Sequence, residues 1–216
     1  MKFIKKLFQI IWSFVSFFLF IQVALRIVKR YVKFPTPLFL GSVLDSDIRR
    51  FLQPPGQLIE RSGIESGMVV LEIGPGSGAF TPYIARAVGE KGKVYCLDIQ
   101  QAMLEMLEAK LARPEYKDIH NVELFNDSAY SLPFEFSSID LVVLVTVLNE
   151  IPDKEKALKE IMRVLKPGGI LAISELLIDP DYPRMSTTAR MGLQGGFTIE
   201  AMEGNLLTYT VRFKKC

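Results

Sequence analysis

The pattern of apolar and polar positions changes along this chain, and its second part predicts a regular alternation of strands and helices. From Met68 onward, short apolar and β-branched runs alternate with segments whose apolar residues recur every three to four positions. Short apolar runs are typical of buried strands, and the longer period is typical of amphipathic helices. The pattern predicts strands over 68–73, 93–98, 121–125, 139–145 and 170–175, helices over 79–89, 100–112, 153–165 and 186–194, and two last strands over 197–203 and 206–214.

This alternation predicts the fold class. Strands that alternate with helices form a parallel sheet with right-handed crossovers. Residues 139–145 are an almost unbroken apolar run, which is expected of a central parallel strand covered on both faces. Asn205 separates the last two strands, which therefore predict a hairpin. We expect an α/β, Rossmann-like, doubly wound, mostly parallel seven-stranded sheet with a C-terminal antiparallel hairpin.

The N-terminal part has a different pattern. Residues 7–25 form an uncharged run dense in Phe, Ile, Leu and Val, with Lys and Arg on both sides. As a helix the run would be about 28 Å long, close to the thickness of a bilayer's hydrocarbon core. No small-x-small cleavage site follows it, and it is apolar all round, so a signal peptide and an interfacial helix are the weaker alternatives. We expect a transmembrane helix that makes the protein a single-pass membrane protein.

Three regions follow from these patterns. Residues 1–33 are the expected N-terminal membrane anchor with basic flanks. Residues 34–62 are the expected linker and capping helices, since Phe34-Pro35-Thr36-Pro37 breaks any helix and residues 45–63 carry an interrupted helical pattern. Residues 63–216 are the expected catalytic domain.

Charge and composition exclude several functions. Residues 1–33 hold seven basic residues and no acidic one, which leaves 19 basic and 24 acidic residues in the rest. An acidic body is poorly suited to a phosphate backbone, so we expect no nucleic-acid partner. With two Cys and one His, we expect no metal site and no disulfide framework.

A glycine-rich turn is the centre of the candidate site. It follows the strand over 68–73, carries glycine at alternate positions and leads into a helix: Gly74, Gly76 and Gly78. Glycine lets the backbone turn sharply and approach a ligand, and the helix start offers unpaired N–H groups. The turn alone also fits a dinucleotide fingerprint that ends in Ala79, so other residues must discriminate.

Two acidic residues extend this corner. Ligands of such sheets bind at the carboxyl ends of the strands, where Asp98 and Asp127 follow the second and third strands. A carboxylate after the second strand suits the hydroxyl groups of a ribose, and one after the third could accept from an exocyclic amino group. An exposed Asp at a strand end can equally be solvated or cap a helix. The combination with the glycine turn favours an adenosine-containing ligand.

These residues resemble the class I S-adenosylmethionine-dependent methyltransferases over roughly residues 55–215, with the small-molecule and lipid or quinone methylases as the most similar subgroup. The resemblance is carried by four motifs in order: Val70-Leu71-Glu72-Ile73-Gly74-Pro75-Gly76-Ser77-Gly78, Val94-Tyr95-Cys96-Leu97-Asp98, Asn126-Asp127-Ser128-Ala129 through Leu132-Pro133-Phe134, and Leu165-Lys166-Pro167-Gly168-Gly169. It implies S-adenosylmethionine as cofactor and methyl transfer as the reaction.

The resemblance also implies roles for individual residues. The glycine loop would approach the methionine part of the cofactor, Asp98 would hold the ribose, Ile99 would pack on adenine, and Asp127 would meet the adenine amino group. The full set of expected cofactor-binding residues is Glu72, Gly74, Pro75, Gly76, Gly78, Asp98, Ile99, Asp127, Ser128 and Thr146.

The acceptor side is less defined. Asn149, Glu150 and Glu175 lie near strand ends and are the candidates for contact with the acceptor. Glu150 also fits the role of a charge at a helix N-terminus. Related methylases often carry His where Asn149 stands, which removes an obvious base. Two other methylase families fit less well: the place of a base-stacking aromatic in RNA adenine dimethylases holds Asp153, and arsenic methylases need several cysteines.

The preferred hypothesis is a membrane-anchored methyltransferase that acts on a small apolar, lipid or quinone acceptor, with its catalytic domain on the cytoplasmic side. A nicotinamide-dependent oxidoreductase of Rossmann type is one alternative. A catalytically silent scaffold that binds the cofactor is the other. The sequence leaves the oligomeric state open.

Overall fold

The computed structural model describes residues 47–216 and eight isolated positions between residues 6 and 24. Two short helices, α1 (Asp47–Leu52) and α2 (Pro55–Ser62), precede the sheet. The sheet strands are β1 (Val69–Ile73), β2 (Lys93–Asp98), β3 (Val122–Asn126), β4 (Ile139–Val145), β5 (Leu165–Leu176), β6 (Thr198–Gly204) and β7 (Thr208–Lys214). The connecting helices are α3 (Thr81–Val88), α4 (Gln101–Leu111), α5 (Lys154–Val164) and α6 (Met185–Gln194), with a 3₁₀ turn at Pro114–Tyr116.

The seven strands form one sheet whose order reverses beside β1. The order is β3-β2-β1-β4-β5-β7-β6, with β1 to β5 parallel and β7 antiparallel to both β5 and β6. Ile73, the last residue of β1, pairs with Leu97 on one side and Leu144 on the other. The carboxyl ends of β1, β2 and β4 therefore lie side by side at the topological switch point, where open α/β sheets bind ligands.

The core consists of two apolar layers, one on each face of the sheet. Val142 and Leu144 of β4 join one layer and Leu141 and Val143 join the other. All four are fully buried. Their alternation confirms the expectation that residues 139–145 form a central strand covered on both faces, and the seven-stranded α/β sheet with its terminal hairpin is likewise confirmed.

β5 starts earlier than the predicted strand over residues 170–175. β5 begins at Leu165, directly after α5, and continues through the two glycines. Backbone hydrogen bonds explain the difference: Gly168 N–H donates to the Lys215 carbonyl at 3.0 Å, and Lys215 N–H donates to the Gly169 carbonyl at 2.9 Å. This pairing with the C-terminal segment makes the Pro-Gly-Gly stretch an irregular part of β5, in which Gly168 has a φ of +72° and the register to β4 shifts.

The expected single-pass membrane location is wrong for the part of the chain that the structure describes, because none of its helices is long and apolar enough to cross a bilayer. Within residues 47–216 the longest helices, α4 and α5, have 11 residues each. Eleven residues extend about 16 Å, roughly half of the hydrocarbon thickness. The expected span, residues 7–25, lies outside the described residues apart from isolated positions.

Candidate active site

A cavity of about 330 Å³ opens at the carboxyl ends of β1, β2 and β4. Its wall comes from the turn after β1, the ends of β2 and β4, the loop after β3, and two segments outside these strands. The residues that line it include Arg49, Glu72, Gly74, Pro75, Gly76, Phe80, Asp98, Ile99, Met103, Ser128, Ala129, Tyr130, Thr146, Val147, Glu150, Ile151, Pro152 and Asp179. The size lies within the range of small-molecule sites.

The three glycines of the turn have different reasons to be glycine. All three have positive φ, at +71° for Gly74, +56° for Gly76 and +81° for Gly78. A Cβ on Gly76 would meet nothing within 4 Å, whereas a Cβ on Gly78 would lie 2.3 Å from Leu107 Cδ1. Gly76 therefore leaves its backbone open to a ligand, while Gly78 allows α4 to pack closely and does not line the cavity.

Asp98, at the end of β2, is oriented by the backbone around it. Its Oδ1 accepts the N–H of Gln100 at 2.9 Å, and its Oδ2 accepts the N–H of Gly76 at 3.3 Å. Asp98 as a whole is 8% exposed, and burial raises the pKa of its carboxyl group. Each oxygen retains a lone pair that can accept a ligand hydroxyl, so the geometry suits a vicinal diol.

The wall beside Asp98 is apolar. Ile99 is 59% exposed and lines the cavity together with Met103, Ala129 and Tyr130. Ser128 also lines the cavity, but Asp127 does not. Asp127 is exposed, and its Oδ1 accepts the N–H of Ser128 at 2.7 Å. A flat aromatic ligand part would find apolar contact here, and the expected role of Asp127 stays a prediction.

Glu72 is a buried residue of β1, two positions before Gly74 of the glycine turn. It is 3% exposed, and its Oε2 accepts the hydroxyl of Thr81 at 2.6 Å and the thiol of Cys96 at 3.7 Å. Burial raises the pKa of Glu72 to about 7, although its hydrogen bonds and the charges of Lys110 and Arg49 oppose that rise. A cationic ligand group at this wall would favour the ionised carboxylate.

Thr146 and Arg49 meet on the far wall, after β4. Thr146 has a positive φ of 58°, an uncommon conformation for a β-branched residue. Its Oγ1 accepts a hydrogen bond from Arg49 Nη2 at 2.9 Å. Arg49 belongs to α1, so this helix closes one side of the cavity.

The three acceptor-side candidates are divided between the cavity wall and the interior. Glu150 lines the cavity. Asn149 and Glu175 are buried behind it, where Asn149 Nδ2 donates to Glu175 Oε1 at 3.3 Å. Burial, and then the nearby charges of Asp179 and Asp181, raise the pKa of Glu175 well above its ordinary value.

Several residues that line the cavity were not predicted from the sequence. Arg49, Phe80, Tyr130, Ile151 and Asp179 line the cavity but were not among the expected site residues. Phe80, Tyr130, Ile151 and Asp179 lie in segments near the strand ends, where the sequence predicts ligand binding. The sequence alone does not identify Arg49 as a site residue, because its contact with Thr146 joins residues that are 97 positions apart in the chain.

The sheet order, the glycine turn and the Asp98 corner are those expected of the class I S-adenosylmethionine-dependent methyltransferases, and the comparisons with known proteins support this class. The family model described as "Methyltransferase domain" matches residues 71–173.

Curated relatives are more specific. The chain is 39% identical over 125 residues to "Ubiquinone/menaquinone biosynthesis C-methyltransferase UbiE" from Escherichia coli O1:K1, an alignment that covers 56% of this chain and 49% of that protein. This chain therefore spans about half the length of the curated relatives that it matches.

Solved structures agree on the fold. An S-adenosylmethionine-dependent methyltransferase from Aquifex aeolicus superposes with a TM-score of 0.77 at 25% identity, covering 84% of this chain and all of that one (100%). The [4+2]-cyclase SpnF superposes with a TM-score of 0.59 at 23% identity, covering 70% of this chain and 58% of that one, and this likeness concerns the fold alone. The comparisons support S-adenosylmethionine as cofactor and give no support to the nicotinamide alternative.

Proposed function

We propose that this protein transfers the methyl group of S-adenosylmethionine to a small apolar acceptor of the quinone or quinol type. The observation that carries the cofactor part is the buried corner in which Asp98 and the open Gly76 backbone meet at the switch point of the sheet. The acceptor part is supported by the similarity to the UbiE C-methyltransferases and by apolar residues on the cavity wall.

The residues at the cavity fit this cofactor chemically. Asp98 would accept hydrogen bonds from the ribose, and Ile99, Met103 and Ala129 would contact the adenine. Glu72 and Arg49 supply one acidic and one basic group for the amino-acid part, whose ammonium and carboxylate groups carry opposite charges. We further infer that residues 63–216 form the methyltransferase domain and that α1 and α2 cap it.

The sulfonium group supplies an activated methyl group, so the protein's task is chiefly to align the acceptor with it and to exclude water. Val147, Ile151 and Pro152 follow β4 on the wall and would hold an apolar ring against the cofactor side. Carbon methylation also releases a proton from the acceptor. Glu150 belongs to the same segment of the wall and could accept it, whereas Glu175 is buried behind the wall.

Methyl transfer can be tested with S-adenosylmethionine that carries a labelled methyl group. We expect label in the organic extract when reduced naphthoquinols or benzoquinols without a ring methyl group are supplied, and mass spectrometry should place it on ring carbon. The Glu150→Gln variant should transfer more slowly, because a neutral amide cannot accept the proton. Label on none of these acceptors, with binding of S-adenosylhomocysteine intact, would reject the quinol class and favour the scaffold alternative.

A further inference from the structure

One basic side chain, that of Arg49, lines the cavity from outside the part that matches the methyltransferase family. Arg49 lies on α1 (Asp47–Leu52), and the family match begins at residue 71. Of the described residues that line the cavity, Arg49 is the one with a Lys or Arg side chain, and Glu72, Asp98, Glu150 and Asp179 are acidic.

Two contacts of Arg49 and one of the residue that follows its helix hold this arginine in place. Arg49 Nη2 donates to Thr146 Oγ1 at 2.9 Å, and the guanidinium carbon lies 5.5 Å from the centroid of the Phe80 ring. The helix itself is attached to the sheet by a buried hydrogen bond, in which Gln53 Nε2 donates to Ser174 Oγ at 2.9 Å. Arg49 is therefore fixed at the side of the cavity formed by β4, across the glycine turn from Asp98.

The side chains that line the cavity differ between its β2 side and its β4 side. Asp98 and the apolar residues Ile99 and Ala129 lie at the β2 side, where a ribose and an aromatic ring fit. Arg49 lies at the β4 side, and its positive charge acts on the carboxyl of Glu72 on the central strand β1. A ligand that fits both sides has a diol and an aromatic ring at one end and a zwitterionic group at the other.

We propose that Arg49 binds the α-carboxylate of the cofactor's methionine part, while Glu72 faces its ammonium group; this inference rests on the proposed use of S-adenosylmethionine. A guanidinium presents planar, paired N–H donors that match a carboxylate, and such charge-assisted hydrogen bonds are stronger than neutral ones. α1 would then act as a part of the cofactor site that the family match does not include.

The test compares two ligands that differ in the group Arg49 would bind. S-adenosylhomocysteine carries the amino-acid part, and 5′-methylthioadenosine has the same adenosine and thioether without it. Calorimetric titrations of both ligands would use the full chain and its Arg49→Gln and Arg49→Lys variants. Arg50→Gln is the matched control, because it removes the same charge from the next position of the same helix, and Arg50 does not line the cavity.

Arg49→Gln should weaken S-adenosylhomocysteine about 10- to 100-fold, the range for loss of a hydrogen bond between charged groups, and leave methylthioadenosine within about twofold. Arg49→Lys should fall between wild type and Arg49→Gln, since it keeps the charge but not the paired donors. Arg50→Gln should bind both ligands like wild type. Melting curves would establish that each variant is folded.

Two results would overturn the inference. Unchanged affinity of Arg49→Gln for S-adenosylhomocysteine would mean that the carboxylate binds elsewhere. An equal loss for both ligands would mean that Arg49 only supports the shape of the corner. Failure of the folded wild-type protein to bind either ligand is a different result, since it would reject the proposed cofactor itself. If Arg49→Gln does not fold, the ratio of the two affinities in Arg49→Lys decides the question.

Discussion

The pH dependence of stability should reveal the buried carboxyl of Glu72. Glu72 is 3% exposed, and burial raises its pKa from 4.5 to about 7 in the folded protein. Because the folded pKa lies above the unfolded one, the unfolded chain loses the proton first as pH rises. The folded state is therefore destabilised progressively between pH 4.5 and about pH 7, and the cost is constant above that range.

The magnitude follows from the difference in pKa. Each unit corresponds to about 1.4 kcal/mol, so the full cost is about 3 kcal/mol above neutral pH. Glu72→Gln removes the ionisation, and its amide oxygen can still accept the hydroxyl of Thr81. The stability of this variant relative to wild type should therefore rise by roughly 2 to 3 kcal/mol between about pH 5 and about pH 8.

Urea unfolding at the two pH values measures this difference directly, and melting curves should show it as a relative change in Tm of roughly 5 to 10 °C. Glu108→Gln is the control, because Glu108 is exposed on α4 and its substitution should change little at either pH. If the relative stability of Glu72→Gln does not change with pH, Glu72 ionises in the folded protein as it does in the unfolded chain, and the argument from burial is refuted.

Two further substitutions and one control test the surroundings of the site. Gly78→Ala should lower the free energy of unfolding by roughly 2 kcal/mol or more, because its Cβ would lie 2.3 Å from Leu107 Cδ1. Gly67→Ala is the control for backbone strain. Gly67 has a positive φ of +88°, similar to the +81° of Gly78, but a Cβ there would meet nothing within 4 Å. Urea unfolding of Gly67→Ala should therefore show about half the loss in the free energy of unfolding. Gln53→Met removes the buried hydrogen bond to Ser174 that attaches the Arg49 segment to the sheet. Calorimetry should show weaker binding of S-adenosylhomocysteine, while the binding of methylthioadenosine should change little. Equal losses in affinity for the two ligands would contradict this expectation.

Local periodicity was sufficient to predict most of the fold. β2 and β4 begin and end at the predicted residues, and α4 lies within one residue of its predicted bounds. β5 is the exception, because its first residues are held by hydrogen bonds to Lys215, far away in sequence. Pairing between distant segments leaves no trace in a local pattern, so the sequence predicted the start of this strand at residue 170 and not at Leu165.

The candidate site was predictable where strand ends define it. Asp98 and Gly76 lie at the ends of adjacent strands, and the structure places them in contact. Arg49 was not predictable, because α1 reaches the cavity only through tertiary packing. For Gly78, the position in the motif suggests a contact with the ligand. In the structure, Gly78 instead packs closely against Leu107 of α4.

Titration of the full chain with S-adenosylhomocysteine, beside Asp98→Ala and the control Asp118→Ala, tests the central claim most directly. Asp118 is exposed and paired with Arg86, and it does not line the cavity. We expect wild type and Asp118→Ala to bind alike, and Asp98→Ala to lose roughly 100-fold or more in affinity because the hydrogen bonds to the ribose are lost. Wild-type protein that is folded but does not bind, or Asp98→Ala protein that binds as tightly as wild type, would contradict the claim.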